Sequence, residues 1–531
     1  MKNLLKILVF CMAGAASVPA LNAQATFNRP FYFNYPAAAL TAVYTEDSLI
    51  YMAGIVADTV PPKYPTSALF ARMDLAGELI DHRVLAQPGR TFETWFSTLI
   101  RTADGDLAIS GYSIDSIGMT GFIQKRTLSG DQFAFWPFNS LYYPETSYIL
   151  PRTMTQCPDS GFFAASLIKV PDAADLDIQL TKIDTNGQIV WDWIYGDSIV
   201  EEPYVAVYRD NKLYLGFYSG NYNLFEVEEN FVHRSHILEL DTAGQVLRRY
   251  DSGIDRDEGG IRDMLPTADG GWVVLTKKGQ EVFINSIKRR VRWDTGCLYK
   301  LDAGFEKVWE VDFRGGWLVD GDDIVLNKMV AASDSSGYVA VGNGYFDSAD
   351  LTADMYGWMV KASPDGDSLW SRKFKIQEDT VFRHFLYDVK ETADGGFVAV
   401  GQAQYFGTSP PPGTPKQRGW VIKTDPYGCL VPGCHLPLNT GEAPGVTARI
   451  LAYPNPAGET LAVNLVLSEN PPEQAMLNLI DNTGRPVRRL AVRDREMTYI
   501  LSVADLPAGI YSLQYLAPGS RPVGQKIVIT H

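Results

Sequence analysis

Short runs of apolar and β-branched residues, each closed off by Gly, Asp or Asn, recur along most of the chain. Three of them, WVVLT at 272–276, YVAVG at 338–342 and FVAVG at 397–401, are almost continuously apolar. Their length suits strands, and the lack of polar alternation suits strands covered on both faces. Each follows a turn sequence, TADGG at Thr267 and Thr392 or SDSSG at Ser333. Such residues tolerate positive φ or hydrogen-bond their own backbone.

The turn occurs seven times, centred on Asp47, Asp104, Asp159, Asp210, Asp269, Ser335 and Asp394, at steps of 51–66 residues. A second turn follows each copy: RMDLAG at Arg72, KRTLSG at Lys125, KIDTNG at Lys182, ELDTAG at Glu239, KLDAG at Lys300, KASPDG at Lys361 and KTDPYG at Lys423. Two markers in fixed order define a four-stranded meander, the unit of a β-propeller. An open β-solenoid is the rival, but its repeats are usually much shorter. The expected fold is all-β, a seven-bladed β-propeller over residues 38–434 followed by a small immunoglobulin-like β-sandwich. Trp191, Trp309 and Trp370, which follow the second turn, are read as blade-to-blade packing.

The ends of the chain differ from the repeat. Residues 1–23 have a basic start at Lys2 and Lys6, an apolar run over 7–16 and small residues up to Ala23. That is the pattern of a secretory signal peptide, cut before Gln24, and the run is too short to span a bilayer. Residues 24–37 are a lead-in to the propeller. Residues 435–449 are polar with Pro and Gly and form a linker. From 450 to 531, alternating strands separated by turns suit a sandwich.

Within that last segment Tyr453-Pro454-Asn455-Pro456, the turn at 481–484, Gly509-Ile510-Tyr511 and the Lys526 ending resemble the type A C-terminal sorting domain of the type IX secretion system. The resemblance implies Sec export, passage across the outer membrane with the type IX machinery as partner, and either release or attachment to surface lipopolysaccharide. The motif has no catalytic member: Pro454 and Pro456 fix backbone, Gly509 permits a bend and Tyr511 packs in the core. The repeat itself resembles those of exported propeller-like proteins common in Bacteroidota, which specifies fold rather than function.

A net charge of −15 argues against a nucleic-acid partner. Cys11 leaves with the signal. Cys429 and Cys434 flank a short loop and are expected to form a disulfide, while Cys157 and Cys297 read as packed thiols. Acidic stretches such as 320–323 and DTNGQ at Asp184 lack an EF-hand spacing and read as turn carboxylates. The TADGG turns share the first five positions of a sialidase Asp box and then diverge, so they too are turns. Ser166 and Lys169 fit S-x-x-K but fall in a strand. His233 and His236 are the one close histidine pair, with rings expected on opposite faces. The sequence gives no catalytic residue, metal ligand, cofactor or transmembrane segment. Two functions remain: a non-enzymatic binder of glycan or protein, and a secreted hydrolase drawing carboxylates from separate blades. Variable aromatic loops on a rigid scaffold suit binding. They place the candidate ligand site on the rim carrying Tyr222, Tyr345, Tyr405 and Phe406.

Overall fold

The structure is a computed structural model. It describes residues 24–531 apart from 59–64, 132, 145–147, 172–175, 197–199, 221–232, 253–259, 285–288, 314–322, 347–353, 377–381, 406–414, 432–433, 436–447, 468–469, 473, 482–483, 518–522 and 531. Residues 1–23, expected to be a signal peptide, lie outside the described residues. The chain divides into two compact units, Met1–Pro432 and Gly433–His531.

The first unit is a β-propeller. Among the described residues it holds seven successive antiparallel meanders. Ile149–Gln156, Phe162–Ile168, Asp177–Ile183 and Ile189–Tyr195 form one of them in sequence order. The innermost strands lie side by side: Ile149–Gln156 against Val200–Arg209, then Ile261–Pro266, Asp323–Ala331, Phe382–Glu391 and finally Ala37–Glu46. The second strands are covered on both faces, and Phe162–Ile168 is buried throughout.

The last meander takes its outer strand from the other end of the chain. Phe27–Phe31 pairs antiparallel with Gln417–Thr424, so the segment expected as a plain lead-in contains the strand that closes the ring. The adjoining side chains fasten it: Thr26 Oγ1 donates to Leu430 O at 2.5 Å and Asn28 Nδ2 to Lys375 O at 2.7 Å. Trp420 Nε1 donates to Asn28 Oδ1 at 2.6 Å.

The two sequence markers meet in space. In the sheet of Trp272, Lys300 Nζ donates to Asp269 Oδ2 at 2.5 Å, while Thr267 Oγ1 donates to Asp269 Oδ1 at 2.5 Å. Lys125 and Asp104, Lys182 and Asp159, and Lys423 and Asp394 repeat the pair. The Lys300 ammonium, the Thr267 hydroxyl and the Gly271 N–H hold the Asp269 carboxyl well below the usual range. Asp269→Asn is expected to cost about 1 kcal/mol, because the pair is half-exposed and solvent screens it. Chemical denaturation at neutral pH checks this.

The outer aromatics pack as expected. Trp309 lies under the turn glycine Gly366 of the next sheet, where an added Cβ would come within 2.8 Å of the ring, and Trp370 lies likewise under Gly428. Phe27 takes the same place under Gly77, again at 2.8 Å.

In the second unit, strands Ala448–Tyr453, Thr460–Leu467 and Glu496–Ser502 face a four-stranded sheet of Pro486–Ala491, Met476–Ile480, Gly509–Leu516 and Val523–Ile529. Leu461, Val463, Leu465, Leu479, Leu513 and Ile527 fill the sandwich between them. Asn455 ties the Tyr453–Pro456 motif to the last strand: its Nδ2 donates to Lys526 O at 2.9 Å and its Oδ1 accepts from Val528 N at 2.8 Å. The peptide bonds before Pro454 and Pro456 are both cis. Tyr511 is buried and donates to Pro507 O at 2.7 Å. Gly509 differs from expectation. It opens a strand without a left-handed φ, and an added Cβ would meet nothing nearer than 3.9 Å, so no bend there requires glycine.

Candidate functional site

Six of the innermost strands carry a register shift. The extra residues are Thr41, Arg152, Tyr204, Arg262, Asn327 and Tyr387. A bulge places an unpaired residue where a regular pleat would not and re-aims its side chain. The neighbouring second strands make room with glycine: a Cβ on Gly342 or Gly401 would collide with the carbonyl oxygen of Val325 or Phe385. In the second meander the inner strand is interrupted altogether. Thr91–Thr94 and Ile100–Arg101 both pair with Leu107–Ile114, and residues 95–99 loop out between them. Ser97 holds that loop, donating its N–H to Thr41 O at 2.9 Å and its hydroxyl to Tyr387 O at 2.8 Å.

These features converge on one cavity of about 300 Å³, lined by Trp95, Phe96, Arg152, Tyr204, Arg262 and Tyr387 together with Glu202, Asn327 and Lys328. Arg152 stacks its guanidinium over Trp95 at 3.7 Å and reaches Glu202 Oε1 at 2.7 Å. Tyr204 donates to the other Glu202 oxygen at 2.7 Å, and Arg262 lies over the Tyr204 ring at 4.3 Å. Phe96 and Tyr387 stack with centroids 4.2 Å apart. Burial pushes the Tyr204 and Tyr387 hydroxyls far up, so both stay protonated.

The walls carry excess positive charge. Lys328 Nζ donates to Asp263 Oδ1 at 2.8 Å, and against the cost of burial Asp263 and Asp388 keep it charged. Arg152 is matched by Glu202. Arg262 has no carboxylate partner among the described residues, and its Nε is buried without a hydrogen bond. Arg152 Nε is likewise unsatisfied. Glu202 is the one carboxylate among the described lining residues.

Asp263 and Asp388 also stitch sheets together: Asp263 Oδ2 accepts from Met329 N at 3.0 Å and Asp388 Oδ2 from Val43 N at 2.9 Å. Thr153 Oγ1 accepts from Ala206 N at 3.0 Å in the same way. Each joins the residue after one bulge to the backbone just past the next, which anchors the cavity walls.

The rim residues fare differently. Tyr222 and Phe406 lie outside the described residues, as does the side chain of Tyr345. Tyr405 is partly buried against the core formed by Trp420, Leu386 and their neighbours. Tyr405, the rim residue whose side chain is described, is not among the described residues lining the cavity. Cys429 and Cys434 are both disulfide-bonded, and Cys157 and Cys297 are buried free thiols. Asp184 accepts from the N–H groups of Asn186 and Gln188, each at 2.8 Å, as a turn carboxylate does. Of the acidic stretch 320–323, residues 320–322 and the Asp323 side chain lie outside the described residues.

His236 shows an arrangement that the sequence did not reveal. Its Nε2 accepts from Ser219 Oγ at 2.7 Å and its Nδ1–H donates to Asp251. The order resembles a nucleophilic triad, but the exposure is inverted. Ser219 and His236 are buried while the Asp251 side chain is half-exposed, and the imidazole stacks on Phe217 at 4.6 Å. A serine closed off from solvent beneath a stacked histidine clamps three neighbouring strands; it does not meet a substrate.

Residues 451–530 match the family model described as the secretion system C-terminal sorting domain. No curated protein matches the chain. Similar solved structures include the polysaccharide lyase Uly1, 9% identical with a TM-score of 0.40, over 72% of this chain and 88% of that one. The α-L-arabinofuranosidase Arb93A from Fusarium graminearum is 10% identical with a TM-score of 0.37, over 62% and 92%. The β-propeller domain of the trilobed protease from Pyrococcus furiosus is 11% identical with a TM-score of 0.39, over 74% and 96%. Among the described residues no helix is long and apolar enough to cross a membrane. The C-terminal segment 451–530 is thus a secretion-system sorting domain, and the protein that carries it is exported, to be secreted or displayed at the cell surface.

Proposed function

We propose that this protein is a non-enzymatic binding protein, exported by the type IX system, whose seven meanders act as the blades of one propeller and whose ligand, a glycan or a protein segment, enters the central cavity. The observation that carries the reading is the convergence of bulge residues from successive sheets on one aromatic and cationic pocket. A pocket of this size with a few convergent polar groups is the usual form of a ligand site. The hydrolase alternative needs two carboxylates at a set separation. Glu202, the lining carboxylate among the described residues, is already engaged by Arg152 and Tyr204. The testing experiment is a glycan and protein binding screen on the mature chain, repeated with Asn327→Trp, which fills the cavity. Binding that survives the filling variant unchanged refutes the central site.

The sorting domain gives a second expected outcome. A chain lacking residues 450–531 should accumulate in the periplasm and vanish from the surface and medium. Fractionation of cells expressing both forms checks it, and equal surface levels would defeat the type IX route.

A further inference from the structure

We infer that the central cavity is selective for an acidic saccharide. The oxyanion of one sugar unit, a uronate carboxylate or a sulfate, would be held by Arg262, with the sugar ring against the wall of Trp95, Phe96 and Tyr387. The inference rests on the binding reading above and names the ligand class for that same cavity.

Three observations carry it. The first is charge. Arg152 stands against Glu202 and Lys328 against the buried Asp263, while Asp388, which also acts on Lys328, is paired with Lys390, so four cations meet three carboxylates. The surplus lies on Arg262, which rests on the face of Tyr204. The whole chain carries −15, so a locally cationic pocket runs against its general surface and would draw anions out of proportion to net charge.

The second is pre-organisation. Tyr204 is fixed by its bond to Glu202, which is itself fixed by Arg152 on Trp95. The Arg262 guanidinium therefore rests on a ring that cannot swing away. A planar fork held flat on an aromatic face offers its N–H edge to a carboxylate or sulfate in bidentate fashion. A buried Nε without a partner, present on both Arg262 and Arg152, has a donor to satisfy.

The third is shape. The cavity of about 300 Å³ is at the small end of ligand pockets, with room for a sugar unit or two. Its wall combines aromatic planes with polar tips. Phe96 is 38% exposed although it stacks on Tyr387. Such surfaces take the C–H face of a pyranose ring. An acidic peptide would use the same cation, but its Asp and Glu side chains carry no ring to lay on that wall beside the bound carboxylate, so the saccharide is favoured.

The test uses the mature full-length chain and calorimetric titration with four probe sets. These are uronate oligosaccharides, their carboxyl-reduced counterparts, sulfated oligosaccharides with desulfated counterparts, and an oligoglutamate peptide. Binding to a uronate or a sulfated set is expected, weakening at least tenfold when that group is reduced or removed, and weakening further with added salt. The two pairs separate carboxylate from sulfate. Arg262→Gln should lower affinity at least tenfold for the acidic form and by a clearly smaller factor for the neutral form. Arg262→Lys should recover part of it. Tyr387→Leu, read beside its thermal midpoint, should weaken acidic and neutral forms alike.

Equal binding of acidic and neutral forms overturns the acidic selectivity while leaving a glycan site in the cavity. Binding of the peptide alone overturns the saccharide class. Saccharide binding indifferent to Arg262→Gln and Tyr387→Leu overturns the cavity site itself. No binding of any saccharide overturns this inference and the glycan form of the function above.

Discussion

A chain that begins at Tyr32 is expected to unfold far more readily than one that begins at Gln24, by more than about 5 kcal/mol. The missing segment is the outer strand of the last meander, paired along its length with Gln417–Thr424. Its loss strips Phe27 from the turn at Gly77 and removes a buried ring, a change that on its own costs about 3–5 kcal/mol when Phe becomes Ala. It also leaves Trp420 Nε1 without Asn28 and takes away the Ala25 carbonyl, which accepts from the buried Lys423 ammonium at 2.9 Å. Unsatisfied buried donors add their own penalties. Urea titration of the two chains gives the comparison, with Phe27→Ala as an intermediate. Equal midpoints would mean that the ring does not depend on this strand.

Acid should weaken the propeller before its carboxylates are protonated, and His236 is the reason. Burial lowers its pKa to about 4, with Asp251 opposing and Arg249 assisting. In the unfolded chain the same imidazole titrates near 6.5. Between those values the unfolded state binds the proton and the folded state does not, so stability falls as pH drops through this window. The full contribution is present above about pH 6.5, and about 3 kcal/mol of it is gone near pH 4. The neutral ring is the form that the surroundings fit, accepting from Ser219 and donating to Asp251. His236→Gln should lower stability at neutral pH yet flatten the slope between pH 6.5 and 4 relative to the parent chain. Denaturation midpoints across that range, taken as the difference between the two proteins, are the measurement. A parallel slope in both would show that His236 does not titrate as described.

The sequence reading and the structure part company at identifiable places. Asp269 and Lys300 stand 31 positions apart in one meander, and their sequence turns already marked the strands that the ion pair ties together. The packing of Trp309 and Trp370 on the next turn glycine was legible for the same reason, since one aromatic recurs at one place in the repeat. The Tyr453–Pro456 motif was legible because it belongs to a short segment that matches a family as a whole. The cavity was not. Rim aromatics drew attention because variable loops stand out in a sequence, whereas Arg152, Tyr204 and Arg262 sit inside strands and look like ordinary strand residues. One faint signal existed: the glycine that closes the apolar run within a second strand, as in Gly342 and Gly401, marks where the neighbouring strand can bulge.

What the sequence determined by itself is whatever lies within one repeat or one short domain: strand, turn, turn-to-lysine pair, packing aromatic and export address. The tertiary structure alone decided that Thr26 meets Leu430 across 404 positions, and that Asp388 reaches the backbone of Val43 across 345. It alone decided that side chains from separate sheets face one another around Arg262. The physical reason is that hydrogen bonding and burial within a meander are fixed by local periodicity, which the chain writes repeatedly. A cavity at the centre depends instead on a one-residue slip in six inner strands and a loop in the seventh, and on the contacts between sheets that hold them in place.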